Sequence, residues 1–102
     1  MSKRLDLLER MIEKGTDDPF VRYARALELR SLGRNEDALA ALGEVRERHP
    51  DYVPSYLMAG QIALALGRAQ DAKDWLARGV EVATRVGDDH ALSEMRRALD
   101  TL

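Results

Sequence analysis

A chain of 102 residues suits one small domain, and at that size roughly two thirds of the surface exposed by the unfolded chain becomes buried. Apolar residues at 45%, charged residues at 33% and only three prolines exclude a disordered chain, and the lack of any cysteine leaves no disulfide framework, thiolate nucleophile or cysteine zinc site. A formal charge of −2 with both signs interspersed gives no long-range attraction for nucleic acid or anionic lipid.

The first predicted helix, residues 2–14, begins at the capping candidate Ser2 and carries an apolar stripe of Leu5, Leu8, Met11 and Ile12. Its charges alternate with single apolar residues, unlike the continuous apolar core of a signal peptide or membrane span. A cytoplasmic protein is the expectation. Gly15 ends the helix, since glycine has no Cβ to clash in the left-handed conformation that closes a helix. Gly33, Gly67 and Gly87 stand at the same kind of place.

Asp18 before Pro19 reads as an N-cap followed by a first-turn proline and opens a second helix over 19–32. Asn35 is the expected cap of a third over 36–48, and Asp51 that of a fourth over 53–66. A fifth helix spans 70–86. The sixth, 90–101, follows Asp88 or Asp89 and presents Ala91, Leu92, Met95, Ala98, Leu99 and Leu102 on one side. No segment alternates with the period of two that a strand requires. Asp6 with Arg10, Glu44 with Arg48 and Asp74 with Arg78 place acid four residues before base, each pair worth about 0.2–0.5 kcal/mol on a solvated face.

The phrase LGRNEDALAAL from Leu32 returns 34 positions later as LGRAQDAKDWL from Leu66. A period of that length holding two helices marks a solenoid of helical hairpins, each unable to bury its apolar face until a neighbour stacks on it. The chain resembles the tetratricopeptide repeat family, in its small stand-alone bacterial form. The second repeat offers Tyr56, Ala59, Gly60, Ala63, Ala72 and Leu76 at the family positions, and the first offers Ala26, Leu29, Ala38, Leu42 and Pro50. The resemblance implies an all-α fold, a right-handed α-solenoid of antiparallel helix pairs. One domain of about six helices divides into an N-terminal B-like helix (2–18), repeat 1 (19–52), repeat 2 (53–86) and a C-terminal capping helix (87–102).

Two departures carry physical readings. Arg22 and Arg25 stand where the family has large apolar residues, and with no preceding A helix they are expected to keep an open edge soluble. Thr84 replaces the terminal proline of repeat 2, so that B helix is expected to run on to Val86.

In this family the A helices line a concave groove. The resemblance therefore places Phe20, Tyr23, Leu27 and Arg30, then Pro54, Leu57, Gln61 and Leu64, on its wall. Phe20, Tyr23 and Leu27 share one helix face; the stripe is either ordinary core or an exposed patch marking an interaction site. Some groove-forming members clamp a peptide carboxylate with lysine and asparagine, but Tyr23, Leu27, Leu57 and Gln61 occupy the corresponding places here. An extended or helical segment with apolar anchors and an acidic flank suits them better.

Trp75 is expected to be packed rather than to stack on a ligand. His49 and His90 lie far apart without a second ligand at metal-binding spacing, and His49 is expected to complement a helix dipole. Gly43, Gly60 and Gly79 read as close-packing points rather than a phosphate-binding loop. No catalytic, cofactor or metal residues are expected. The sequence thus reads as a non-catalytic scaffold that binds a protein or peptide segment, without nucleic acid or membrane; the alternative is a structural homo-oligomer using the apolar groove or the open repeat edge.

Overall fold

A computed structural model describes residues 2–102 and contains six α-helices with, among the described residues, no strand. They are α1 (Lys3–Glu13), α2 (Pro19–Ser31), α3 (Asn35–Arg48), α4 (Pro54–Ala65), α5 (Ala69–Val86) and α6 (Asp89–Asp100). Every expected helix is present and ends within one residue of its expected bounds. As Thr84 implied, α5 continues to Val86.

The ends explain the bounds. Ser2 Oγ accepts from the Leu5 N–H at 3.0 Å, Asp18 Oδ1 from Phe20 at 2.9 Å and Asp88 Oδ1 from Ala91 at 3.1 Å, each satisfying a donor that the first turn orphans. Asn35 and Asp51 do not cap. α3 starts at Asn35 itself, behind Arg34, whose Nε donates to Asp37 Oδ2 at 2.9 Å. The carboxylate of Asp51 is held by Arg85 Nη1 at 2.8 Å, and α4 opens after Val53 with no side-chain cap.

The repeated Leu-Gly-Arg phrase has one structural meaning at both places. Gly33 and Gly67 have φ of +78° and +76°, the left-handed region where a Cβ is strained. That turn lets Arg34 N–H reach Leu29 O at 2.9 Å and Arg68 N–H reach Ala63 O at 2.8 Å. Two identical stops end α2 and α4, and α3 and α5 then turn back on them.

The chain forms two compact units, the first ending at His49 and the second running from Pro50 to Leu102. In the first, α2 packs with α3 and with α1, and Leu8, Val21 and Ala24 form a cluster edged by Met11 and Ile12. Ala26, Leu29, Ala38, Leu42 and Val45 are also buried. In the second, α5 packs with α4 and α6. Tyr56 is buried, its ring 5.9 Å from that of Trp75 and tilted by 60°, and its hydroxyl donates to Pro50 O at 2.6 Å. Trp75 is thus packed, as expected.

Small residues set the helix spacing in this second unit. A Cβ on Gly60 would lie 2.8 Å from Leu76 Cγ, and one on Gly79 would lie 2.6 Å from Tyr56 Cβ and overlap Met95. Both are close crossings. Gly43 is not one: a Cβ there meets nothing within 4 Å, because its side of α3 faces open space.

Candidate functional site

α2 carries the first group of expected partner-binding residues. The Asp18 cap and Pro19 fix the entry of the helix, which sets Phe20, Tyr23, Leu27 and Arg30 on consecutive turns. Phe20 is 59% exposed, the most exposed large apolar side chain among the described residues. Tyr23 and Leu27 are half-buried and Arg30 is exposed. Burial raises the Tyr23 hydroxyl above its ordinary pKa of 10.0, with Arg30 opposing it. The face is therefore wet at Phe20 and Arg30 and drier between them.

α4 carries the second group. Leu57 is half-buried, Pro54 and Gln61 are exposed, and Leu64 is 39% exposed. The core side of this helix takes Tyr56, Ala59, Gly60, Ile62 and Ala63, so the four residues with the 54, 57, 61 and 64 spacing form its other edge. Each face is partly covered aliphatic surface ending in an exposed apolar side chain.

Arg22 and Arg25 are not at an open edge. Arg22 retains only 11% side-chain exposure, with Nε 3.5 Å from Asp17 Oδ1 and Nη1 3.5 Å from Glu44 Oε2. Arg25 Nε donates to Glu9 Oε2 at 3.2 Å, and its Nη1 lies 3.8 Å from Glu44. The expected solvated pairing of Glu44 gives way to this arrangement. The physical reason is α1: it packs on α2 and covers that side, so the two guanidiniums are trapped between carboxylates from α1, α3 and the α1–α2 loop. Apolar positions of the repeat thereby become a charged layer, with Glu9 and Glu44 both engaged by arginine.

The histidines also pair locally. His49, the residue that closes α3, places Nε2 3.2 Å from Asp17 Oδ1. This bond, with Arg48 at 3.8 Å and Arg22 on the same oxygen, holds the Asp17 carboxyl below its ordinary 3.8. His49, expected to complement the dipole of α3, is tied to the α1–α2 loop by this bond. His90 Nε2 lies 2.6 Å from Glu94 Oε1, one turn along α6.

Sequence reasoning missed the exposed apolar side chains Leu7, Leu32, Val86 and Leu102. Leu7 was legible as the one leucine of α1 off the stripe of Leu5, Leu8, Met11 and Ile12. Leu102 was assigned to the covered side of α6, yet the helix ends at Asp100 and leaves it 37% exposed.

The profile of the tetratricopeptide repeat matches residues 29–99, from the last turn of α2 through α3, α4, α5 and most of α6. The chain belongs to the tetratricopeptide repeat family. A tetratricopeptide repeat domain protein from Salinibacter ruber is 40% identical; its solution structure has a TM-score of 0.80 over 83% of this chain and 86% of that one. Its crystal structure has a TM-score of 0.78, covering 83% of this chain and 94% of that one. A protein from Bordetella parapertussis shares the fold at a TM-score of 0.83 and 22% identity, over 99% and 88% of the two chains. No curated protein matched the sequence. Tetratricopeptide repeat domains generally mediate protein–protein interaction and are typically non-catalytic scaffolds. Among the described residues no helix is long and apolar enough to cross a membrane.

Proposed function

We propose that this tetratricopeptide repeat protein is a non-catalytic cytoplasmic interaction module whose A helices α2 and α4 each offer an apolar face to a segment of another protein. The observation that carries the reading is Phe20, a phenyl ring left 59% exposed on a well-capped helix. Burying the part of the ring still exposed gains roughly 1–2 kcal/mol, and aromatic side chains are enriched in interface cores. Tyr23 and Leu27 extend the strip beside it. Leu57 and Leu64, with Gln61 between them, provide the same chemistry on α4. The partner segment is one with apolar anchors, and Arg30 at the end of the α2 face favours an acidic flank.

The test is capture of partners from a lysate by the immobilised protein. Phe20→Ala and Leu64→Ala, both at exposed positions, are expected to leave the melting temperature within 2–3 °C of the parent, about 0.5 kcal/mol. Capture is expected to fall at least tenfold in one or both. Tyr23→Ala and Leu57→Ala, half-buried, are read together with their melting curves. Variants that stay folded and retain every partner overturn the proposal.

A further inference from the structure

α1 packs on α2 within its unit, and α6 on α5 and α4 within the other. Each shows apolar surface that its own unit leaves uncovered. α4, an A helix with its B partner, buries six residues, whereas α6 buries only Met95. Ala91, Leu92, Ala98 and Leu99 are half-buried and Leu102 is exposed. On α1, Leu5 and Leu8 are buried, while Leu7 is 57% exposed and Met11 half-buried.

The charges beside these two strips are complementary and equally spaced. At 3.6 residues per turn, Lys3, Leu7, Met11 and Lys14 follow one another along one flank of α1, with Arg4 adjacent; Asp6, Glu9 and Glu13 lie on the opposite flank. On α6, Asp89, Leu92, Arg96 and Asp100 form the corresponding row, with Leu99 beside it. Lys3 and Lys14 are 11 residues apart, and so are Asp89 and Asp100, a separation of roughly 16 Å along either helix. All four are exposed. Laid antiparallel, as the helices of a hairpin are, Lys14 meets Asp89, Lys3 meets Asp100, and Met11 falls opposite Leu92. Leu7 then falls opposite Arg96, between Leu92 and Leu99, where it can cover the aliphatic stem of the arginine.

We propose that α6 of one copy docks antiparallel on α1 of a second copy, joining their uncovered apolar strips and the complementary charges at either end. The two surfaces differ, so the contact is heterologous, and each added copy brings a fresh α1 or α6 until a ring closes. It uses neither Phe20 nor the α4 edge, and stands independently of partner docking there.

The test is the solution mass by light scattering and sedimentation velocity across protein and salt concentration. The wild-type chain is expected to exceed the monomer mass as concentration rises at low salt and to return toward it at about 1 M salt, where the Debye length is roughly 3 Å. The doubly reversed variants Lys3→Glu/Lys14→Glu and Asp89→Lys/Asp100→Lys are each expected to be monomeric at concentrations where the wild type associates. Their equimolar mixture is expected to regain the wild-type mass, because every α1–α6 contact in it can again join opposite charges. Leu7→Lys, at an exposed position and facing Arg96 in this register, is expected to be monomeric alone. A wild-type chain monomeric up to about 1 mM, where only contacts weaker than roughly 4 kcal/mol stay silent, overturns the proposal. So do variants that associate undiminished or a mixture that does not recover. Phe20→Ala separates the two readings: its mass is expected to match the wild type, and loss of association there moves the contact to α2 and refutes the α1–α6 pairing.

Discussion

Adding one methyl group at each of two helical glycines should move stability in opposite directions. Gly79 and Gly43 both lie inside helices, α5 and α3, so replacement by alanine brings both the same gain in helix propensity, about 1 kcal/mol. At Gly43 nothing lies within 4 Å of the new Cβ, and the gain stands alone. At Gly79 the Cβ would sit 2.6 Å from Tyr56 Cβ and 3.1 Å from Met95 Cε, against about 3.5–4.0 Å for carbon atoms in contact. Met95 is fully buried and has little room to turn away. Tyr56 Cβ is fixed to the α4 backbone, so α4 and α5 must part by about 1 Å to restore van der Waals distance. Overpacking of this kind costs about 1–3 kcal/mol, which outweighs or cancels the propensity gain and leaves Gly79→Ala between about 0 and 2 kcal/mol less stable than the parent. Gly43→Ala is expected to melt about 4–8 °C above the parent and Gly79→Ala as much as about 8–16 °C below it. Thermal and urea denaturation followed by far-ultraviolet circular dichroism reads both. A Gly79→Ala protein that melts above the parent refutes the close crossing of α4, α5 and α6.

Glu44→Ala is expected to destabilise the first unit by about 1 kcal/mol, because the largely covered Arg22 and its neighbour Arg25 lose a shared, solvent-screened carboxylate while keeping Asp17 and Glu9. Glu47→Ala, an exposed site on the same helix, should stay within about 0.5 kcal/mol; urea midpoints compare the two. The Asp17 carboxyl is held below 3.8 in the folded chain, so its contribution is full above that value and is lost as pH falls through the lower folded-state value. Asp17→Asn should therefore be less stable than the parent near neutrality and converge with it in acid, which melting curves from pH 7 downward will show. Parallel curves at every pH would mean that Asp17 is not tied to His49.

Residues close in sequence determined most of the fold. The helix bounds follow from local signals: Asp18-Pro19 starts a helix, and Gly33 or Gly67 after an apolar run stops one, through hydrogen bonds that span only five residues. The 34-residue period then fixed the hairpins, since small residues at Gly60 and Ala72 admit close crossings at one register alone. The failures were equally local in cause. Asn35 and Asp51 are good capping residues in isolation, but Asp51 is taken by Arg85, 34 residues away, and no local rule ranks those competitors. What only the tertiary structure decided is which side chains share a neighbourhood and which stay wet. Arg22 and Arg25 look like solubilising residues until α1 brings Glu9 against α2, and α3 brings Glu44. Phe20 and Leu27 sit on the same stripe of α2, yet one is exposed and the other half-covered. Periodicity places a residue on a face of its helix; burial depends on the helices packed against that face, and those come from distant parts of the chain.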